Sequence, residues 1–303
     1  MKALDFVFAA RPLLLVPFWS IYLVALNFHH ELAGKSFGWI NALSLLCLTL
    51  LGAAACYLNQ VYDADSDRIN NKGLFIDRGI LTKSHLTAGF IILSIIGLGL
   101  SVFVSNFFFL ICAQLLVFAY IYSAPPLRLK DRPVAGLIAN AYCIGFLIAF
   151  SVFPKININN AGLLGWDNPF YFAMAVGGVY LLTTIPDRSG DAATGKQTVA
   201  VVAGRTTTIL LAALWLLVAA VAGWQSEYLL LCAIAVMSLS VTLGTLAFRS
   251  DKAILIAAKF PILLLTLLAG WYYPAYLIFI VVLVLATRIY YARRFDIRYP
   301  SIA

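Results

Sequence analysis

The chain has 303 residues, of which 63% are hydrophobic and only 11% are charged. This composition lies far outside that of soluble globular proteins, and it predicts a polytopic membrane protein with little room for a soluble domain. The net charge of +8 does not indicate a nucleic-acid partner, because the basic residues are distributed as membrane orientation requires.

Apolar stretches of membrane length follow one another along the whole chain. A spanning helix needs about 17 to 25 mostly apolar residues, and ten segments meet that requirement, the last two being the hardest to separate. The sequence therefore predicts an all-α transmembrane bundle of nine or ten helices around a central cavity, built as a single domain over residues 1–303. The ten candidate spans are 12–28, 39–58, 86–104, 106–122, 134–153, 168–186, 207–224, 228–248, 253–271 and 274–291.

The distribution of Lys and Arg predicts the orientation of the bundle. With the first residues in the cytoplasm and ten alternating spans, 18 of the 21 basic residues lie in cytoplasmic segments or, for Arg288, near the cytoplasmic end of the last span. The outer loops hold Lys35 and Lys155, and Lys259 lies within a span. Because cytoplasmic loops of membrane proteins are enriched in Lys and Arg, we expect an integral protein of the cell membrane. Loops after the second and sixth spans, near 60–85 and 187–206, would cap it on the cytoplasmic side.

A first acidic pattern, 59-NQVYDADSD-67, ends the second span. Helical residues four apart stack one turn above another, so Asn59, Asp63 and Asp67 line one face, whereas Asp65 points elsewhere and is expected to be solvated. Carboxylates spaced in this way repel one another and are costly beside lipid. Such a pair taken alone is more often a solvated helix end, but it also fits a bound cation.

A second acidic pattern, 187-DRSGD-191, ends the sixth span. Asp187 and Asp191 form another such face if the helix continues through Ser189 and Gly190. Four spans separate the two patterns, which is the spacing expected of a pseudo-repeat of two parallel four-helix halves, about 1–130 and 131–250. Two matched acidic faces directed at one cavity favour a metal site over two solvated helix ends.

The residue types around these patterns indicate Mg²⁺ and a polyphosphate. Oxygen ligands without a nearby thiolate or imidazole favour Mg²⁺, and the cysteines and histidines lack metal-ligand spacing. Basic residues cluster in the same cytoplasmic loops, as in a metal-bridged polyphosphate site. They are Arg68, Lys72, Arg128, Lys130, Arg188 and Lys196. Asp77 and Asp131, which have basic neighbours, are expected to form ordinary ion pairs.

At these residues the chain resembles the UbiA superfamily of intramembrane aromatic prenyltransferases. Four motifs occur in the same order as in that family. They are Arg11-Pro12, the N-x-x-x-D-x-x-x-D pattern at Asn59, Asp63 and Asp67, the loop 122-YSAPPLRLK-130, and the D-x-x-x-D pattern at Asp187 and Asp191 with its continuation 194-TGKQTVAVVAGR-205. The run 70-NNKGLFIDRG-79 departs from the family by lacking its proline. The family usually has nine helices, so the last two spans are expected to include a broken pair around Pro261 or Pro274.

The resemblance implies transfer of a polyprenyl group of the geranylgeranyl class from its diphosphate to a lipophilic or aromatic acceptor. Diphosphate would be released, and Mg²⁺, as two ions bridging the substrate diphosphate, would be the cofactor. The implied metal ligands are Asn59, Asp63, Asp67, Asp187 and Asp191, of which the four aspartates are catalytic. The implied diphosphate contacts are Arg11, Arg68, Arg128, Lys130 and Lys196. Tyr62 and Tyr122 would form the cavity wall or stabilise an allylic cation.

Two other classes of function remain open from the sequence. A secondary transporter of an anionic or metal-bound solute also combines charged residues with internal repeats. It would need ionisable groups near the bilayer centre, whereas these aspartates lie at helix ends. A structural role would leave two matched acidic faces without a reason.

Overall fold

The computed structural model describes residues 2–33, 36–69, 74–153, 167–248 and 250–300. Within these ranges every regular element is helical, which confirms the all-α class. The helices are α1 (Lys2–Ala9), α2 (Val16–Ala33), α3 (Trp39–Ile69), α4 (Leu74–Asp77), α5 (Lys83–Ser101), α6 (Asn106–Ser123), α7 (Pro133–Asn140), α8 (Ile148–Phe150), α9 (Asp167–Thr184), α10 (Arg188–Ala193), α11 (Val199–Gln225), α12 (Leu229–Gly244), α13 (Asp251–Tyr272) and α14 (Pro274–Phe295). Short 3₁₀ turns cover Pro12–Leu15, Leu129–Asp131 and Thr245–Ala247, and a π-helical segment, Ala141–Leu147, joins α7 to α8.

The predicted helix number of nine or ten is confirmed. Nine segments of the described chain are long and apolar enough to cross a membrane. The remaining predicted span is α9, which is 18 residues long but begins Asp-Asn-Pro and contains two glycines and two threonines. The expected broken pair at the C-terminal end is wrong, because Pro261 lies inside a continuous α13 and Pro274 begins a separate α14. Proline is tolerated at a first helical position and within membrane helices packed by neighbours.

Local signals set several helix ends. The Thr82 hydroxyl accepts a hydrogen bond from the backbone N–H of His85 at 3.2 Å, and His85 Nδ1 accepts one from the Thr82 N–H at 3.3 Å. This reciprocal capping box begins α5. Ser105 caps α6 in a similar way through the N–H of Phe108. His85 therefore has a structural role at a helix start.

The long helices surround one internal cavity. Its walls come from α2, α3, α6, α7, α9, α11, α12 and α13, and from the π-helical segment. Neither α5 nor α14 contributes a lining residue, so these two helices lie outside the ring. The π-helical segment approaches α9 closely because Gly145 has no side chain. A Cβ at this position would lie 2.5 Å from the Phe172 carbonyl oxygen.

Helix α1, the last turn of α14 and both acidic patterns meet at one end of the bundle, which we call the acidic end. Gln60 Nε2 on α3 donates a hydrogen bond to the Ala9 carbonyl of α1 at 2.7 Å. The Gln197 N–H donates to the Asp131 carbonyl at 2.9 Å, which joins the segment after α10 to the loop after α6. An arrangement with α1 and the last turn of α14 at one end agrees with an even number of crossings.

Candidate active site

The first acidic pattern lies on the last turns of α3, as predicted. Because α3 is helical as far as Ile69, Asn59, Asp63 and Asp67 follow one another at single-turn spacing along one face. Asp63 is 7% exposed and Asp67 is 9% exposed. Asn59 lines the cavity. The two carboxylates are thus buried beyond the cavity end and are not solvated caps.

The second acidic pattern is not on a continuation of the sixth span, so this condition of the sequence analysis is wrong. Helix α9 ends at Thr184, and Asp187 and Asp191 belong to the separate short helix α10 and its first flanking position. Pro186 explains the break, since proline lacks an N–H and its ring clashes with the carbonyl four residues earlier. The Asp191 N–H nevertheless donates to the Asp187 carbonyl at 2.9 Å, so the two residues remain one helical turn apart.

A glycine after α10 directs Lys196 back towards the carboxylates. Gly195 has φ +76°, a left-handed conformation that glycine adopts without a steric cost. Its N–H donates to the Ala192 carbonyl at 3.2 Å, and the Lys196 N–H donates to the Asp191 carbonyl at 2.9 Å. This pair of hydrogen bonds is a Schellman motif. The motif reverses the chain and places Lys196 beside the helix that it follows.

The loop after α6 supplies a second lysine. Pro125 and Pro126 end the helix, because neither has the N–H needed to continue it, and Arg128 then turns the chain with φ 39°. Lys130 follows and is only 6% exposed. Its ammonium lies 2.9 Å from Asn59 Oδ1 and 2.9 Å from Asp63 Oδ1.

Lys196 joins the two acidic patterns. Lys196 Nζ lies 3.0 Å from Asp63 Oδ1 and 3.7 Å from Asp191 Oδ1, so the two carboxylates lie no farther apart than the sum of those distances. Burial lowers the pKa of Lys130 below its ordinary value, although Asp63 opposes the shift. Burial also disfavours charge on Lys196, but Asp63 and Asp191 outweigh it and raise the pKa of Lys196.

Arg11 reaches the same end from the chain before α2. Its backbone is left-handed, with φ 51°, and its Nη2 donates to Asp67 Oδ2 at 2.8 Å. Arg11 also lines the cavity. The Arg-Pro motif identified in the sequence therefore meets the first acidic pattern.

Three predicted site residues are directed elsewhere in this structure. Arg68 is largely exposed and pairs with Asp77 at 3.2 Å, and Arg128 pairs with Asp131 at 2.7 Å. Tyr62 is half-buried and is not among the cavity-lining residues. The expected ion pairs of Asp77 and Asp131 are confirmed, and they engage the two arginines that we had assigned to the diphosphate. A role for these two arginines and Tyr62 at the site stays a prediction.

The cavity has a volume of about 570 Å³ and is largely apolar. Within the described part of the chain, its only charged lining residues are Arg11 and Asp187, and both belong to the acidic end. Tyr122 lines it as predicted, and its hydroxyl accepts a hydrogen bond from Asn140 Nδ2 at 3.0 Å. The cavity is thus apolar over most of its wall and charged at the acidic end.

Sequence reasoning missed several polar residues of the cavity wall. Tyr180 and Thr183 line it together with Asp187. Tyr180 and Thr183 are three residues apart in the last turns of α9, a spacing that brings helical positions to one face. Their closeness to the second acidic pattern in the sequence was the available signal. Ser123 was also missed, although it lies inside the quoted loop motif, and its hydroxyl donates to Asn59 Oδ1 at 3.3 Å.

The residues at the acidic end fit Mg²⁺ in their chemistry. In the described ranges, no three carboxylate, imidazole or thiol groups already converge as a metal site. The donors are oxygen atoms, which Mg²⁺ prefers. Three basic groups, those of Arg11, Lys130 and Lys196, pair with Asp67, Asp63 and Asp191. Together with Asp187, the formal charges of these side chains sum to one net negative charge, so the set suits added cations.

The chain is similar in sequence to known proteins of other organisms. The chain is 27% identical over 238 residues to the digeranylgeranylglyceryl phosphate synthase of Korarchaeum cryptofilum (strain OPF8), covering 76% of this chain and 83% of the relative. It is 32% identical over 143 residues to the probable homogentisate phytyltransferase 2 of Oryza sativa subsp. japonica, covering 44% of this chain and 37% of the relative. The match thus spans well under half the length of the rice relative.

Solved structures show the same fold. A UbiA homolog from Archaeoglobus fulgidus superposes with a TM-score of 0.71 at 17% identity, covering 91% of this chain and 98% of the homolog. The UbiA homolog from the same organism bound to GPP and Mg²⁺ gives a TM-score of 0.65 at 19% identity, with 88% and 98% covered. The model of the UbiA prenyltransferase family matches residues 13–259. This match covers most of the helical bundle and both acidic patterns, and the chain therefore belongs to the UbiA prenyltransferase family.

Proposed function

We propose that the protein transfers a polyprenyl group of the geranylgeranyl class from its diphosphate to a lipophilic or aromatic acceptor within the membrane. One observation carries this proposal, namely a large apolar cavity that ends at buried carboxylates and ammonium groups. A prenyl diphosphate has a long apolar tail and a small, highly charged head. The cavity offers each part a surrounding of matching polarity.

Charge balance supports two Mg²⁺ ions at the acidic end. Asn59 and the four aspartates would hold them, and Arg11, Lys130 and Lys196 would contact diphosphate oxygens. The four aspartates and the three basic groups carry one net negative charge. A diphosphate monoester carries roughly three near neutral pH, because its two strongly acidic protons are lost and the second proton of its terminal phosphate titrates near there. Two divalent cations offset the sum of these charges, and a single ion does not. The related structures bound to Mg²⁺ with DMAPP or GPP support the same cofactor.

The geometry suggests how the side chains share the work. Breaking the allylic carbon–oxygen bond places negative charge on the departing diphosphate, and Lys130, Lys196 and Arg11 donate hydrogen bonds that stabilise it. When bound, Mg²⁺ adds to this stabilisation as a Lewis acid. The tail carries the positive charge, so the apolar walls protect it from water. The ring of Tyr122 stabilises the positive charge on the tail electrostatically. The acceptor then forms a bond to the allylic carbon and loses a proton.

We place the acidic end in the cytoplasm and treat the bundle as two related four-helix halves. The positive-inside distribution of the basic residues supports the orientation. The convergence of Asp63 and Asp191 on Lys196 supports a site shared between the halves. A transporter is less well supported, since the charged lining residues lie at one end and not midway along the cavity.

The experiment uses purified protein with geranylgeranyl diphosphate, Mg²⁺ and a panel of acceptors. The panel contains an isoprenoid glyceryl phosphate, a quinone-precursor ring, a chlorin and a carotenoid, and lipid products are read by mass spectrometry. Diphosphate release should be lost in Asp63→Ala and retained in Asp77→Ala, whose carboxylate pairs with Arg68 outside the cavity. Release by the wild type no higher than by Asp63→Ala, with every acceptor, would refute the proposal.

A further inference from the structure

A buried carboxylate ties the N-terminal helix α1 to the end of the C-terminal helix α14. Asp5 is 3% exposed. Arg294 approaches it with two parallel hydrogen bonds, Nε to Oδ1 at 3.0 Å and Nη2 to Oδ2 at 3.1 Å. The Tyr290 hydroxyl donates to the same carboxylate, and the Tyr290 ring stacks on Phe8 with centroids 4.0 Å apart. A two-pronged arginine–carboxylate pair fixes orientation as well as distance.

Helix α1 is also tied to α3. The Tyr57 hydroxyl donates to the Phe6 carbonyl at 2.7 Å, and Gln60 Nε2 donates to the Ala9 carbonyl at 2.7 Å. The Phe6 carbonyl also accepts from the Ala10 N–H at 3.1 Å, whereas carbonyls at the very end of a helix lack a partner within it, so Gln60 supplies one for Ala9. Helix α1 is consequently held between α14 and the helix that carries the first acidic pattern.

Arg11 lies two residues after the end of α1, so its position depends on the contacts that hold α1 in place. Its N–H donates to the Phe8 carbonyl at 3.1 Å, and its own carbonyl accepts from the Leu14 N–H at 2.8 Å. Its left-handed backbone, which disfavours side chains with a Cβ, is maintained by these flanking contacts. Its guanidinium then meets Asp67.

We propose that Asp5, Tyr290 and Arg294 form a positioning clamp that fixes Arg11 at the charged end of the cavity. Through this clamp, α14 contributes to binding of the diphosphate donor without touching it. The inference rests on the proposed function. Both α1 and α14 lie outside residues 13–259, the range matched by the family model, so family membership does not supply the clamp.

The first test measures binding of a non-hydrolysable probe, geranylgeranyl S-thiolodiphosphate, to the purified protein with Mg²⁺ by calorimetry. Asp5→Asn should weaken its Kd about tenfold, because Arg11 keeps its charge but loses its fixed position. Arg294→Gln should weaken binding to the same extent. The double variant should bind the probe no more weakly than either single variant, because each of the three removes the same Asp5–Arg294 pair. Arg294→Lys, which keeps the charge without the planar fork, should give a smaller loss. The matched control is Arg293→Gln, an exposed neighbour on α14, which should bind as the wild type does.

A thermodynamic cycle with Arg11 separates positioning from a general loss of structure. In an Arg11→Gln background, Asp5→Asn should cause no further weakening of probe binding. The same tenfold loss in that background, or wild-type affinity of Asp5→Asn alone, would overturn the clamp while leaving the proposed function intact. A wild type that binds no probe would overturn the donor assignment, and the clamp with it.

Discussion

Lys196→Met should destabilise the metal-free protein and make its stability depend on Mg²⁺. The ammonium contacts Asp63 at 3.0 Å and Asp191 at 3.7 Å, and all three side chains are nearly buried. Methionine has a similar length and removes the charge together with the hydrogen-bond donors of the ammonium group. The two carboxylates of the opposing acidic patterns would then face each other with one counter-charge fewer.

The structure allows the size of the effect to be worked out. At an effective dielectric constant of ~20, unit charges at these two distances attract by about 5.5 and about 4.5 kcal/mol, and desolvation cancels much of this attraction. Removing one partner of a buried pair typically costs about 3 to 5 kcal/mol. Because Lys130 still contacts Asp63 at 2.9 Å, we expect a loss of about 2 to 3 kcal/mol. At about 2 to 4 °C per kcal/mol, this loss lowers Tm by about 5 to 10 °C.

The assay is thermal unfolding in detergent with and without Mg²⁺, without substrate. Mg²⁺ should raise the Tm of Lys196→Met more than that of the wild type, because the ion replaces the missing charge without displacing an ammonium group. Lys83→Met, which removes an exposed lysine at the start of α5, is the matched control and should change neither value. Equal Mg²⁺ stabilisation of variant and wild type, or an unchanged Tm in the absence of Mg²⁺, would refute the reasoning.

Four further substitutions test other parts of the site. Asp67→Asn and Asp191→Asn should each lower turnover by about two orders of magnitude or more with folding intact, the scale of losing one strong transition-state stabiliser; near-normal steady-state rates would reassign the residue to a helix end. Replacing Lys130 with methionine should raise KM for the prenyl diphosphate more than KM for the acceptor, and an effect confined to the acceptor would contradict its placement. Gly195→Ala should cost about 1 to 2 kcal/mol, because alanine must adopt a left-handed conformation, and should weaken donor binding through Lys196; unchanged Tm and donor affinity would argue against the Schellman motif.

The parts of the site predictable from sequence are those fixed by helical periodicity. The spacing of Asn59, Asp63 and Asp67 by four residues places them on one face wherever the helix is intact, and α3 is intact to Ile69. The apolar runs were long enough to define ten helices because lipid imposes both length and composition. Periodicity and hydropathy are local properties, so they could be read without knowing the partners of any residue.

The parts that could not be predicted depend on competition between partners. Arg68 and Arg128 carry the right charge near the right motifs, but they pair with Asp77 and Asp131. Arg68 does so even though Asp63 and Asp67 are closer to it along the chain. Composition cannot decide which of two carboxylates an arginine reaches. The break before α10 is different, since Pro186 is visible in the sequence and forbids an unbroken sixth helix. That signal was available, and the expectation of a continuous helix overlooked it.

Helix α9 shows why hydropathy is weakest where the chemistry lies. Lipid-facing helices must be apolar on the outside. Helix α14 is an example, because only 17% of its most apolar stretch is buried and the mean hydropathy of that stretch is 2.0. Helix α9 packs against α2, α7, α11 and α13 and against the π-helical segment, so protein rather than lipid covers most of its surface. It can therefore carry glycines for close packing and direct Tyr180 and Thr183 into the cavity. A membrane-length helix that is too polar for lipid contact is thus best explained as one surrounded by protein, and in this bundle it leads directly to Asp187.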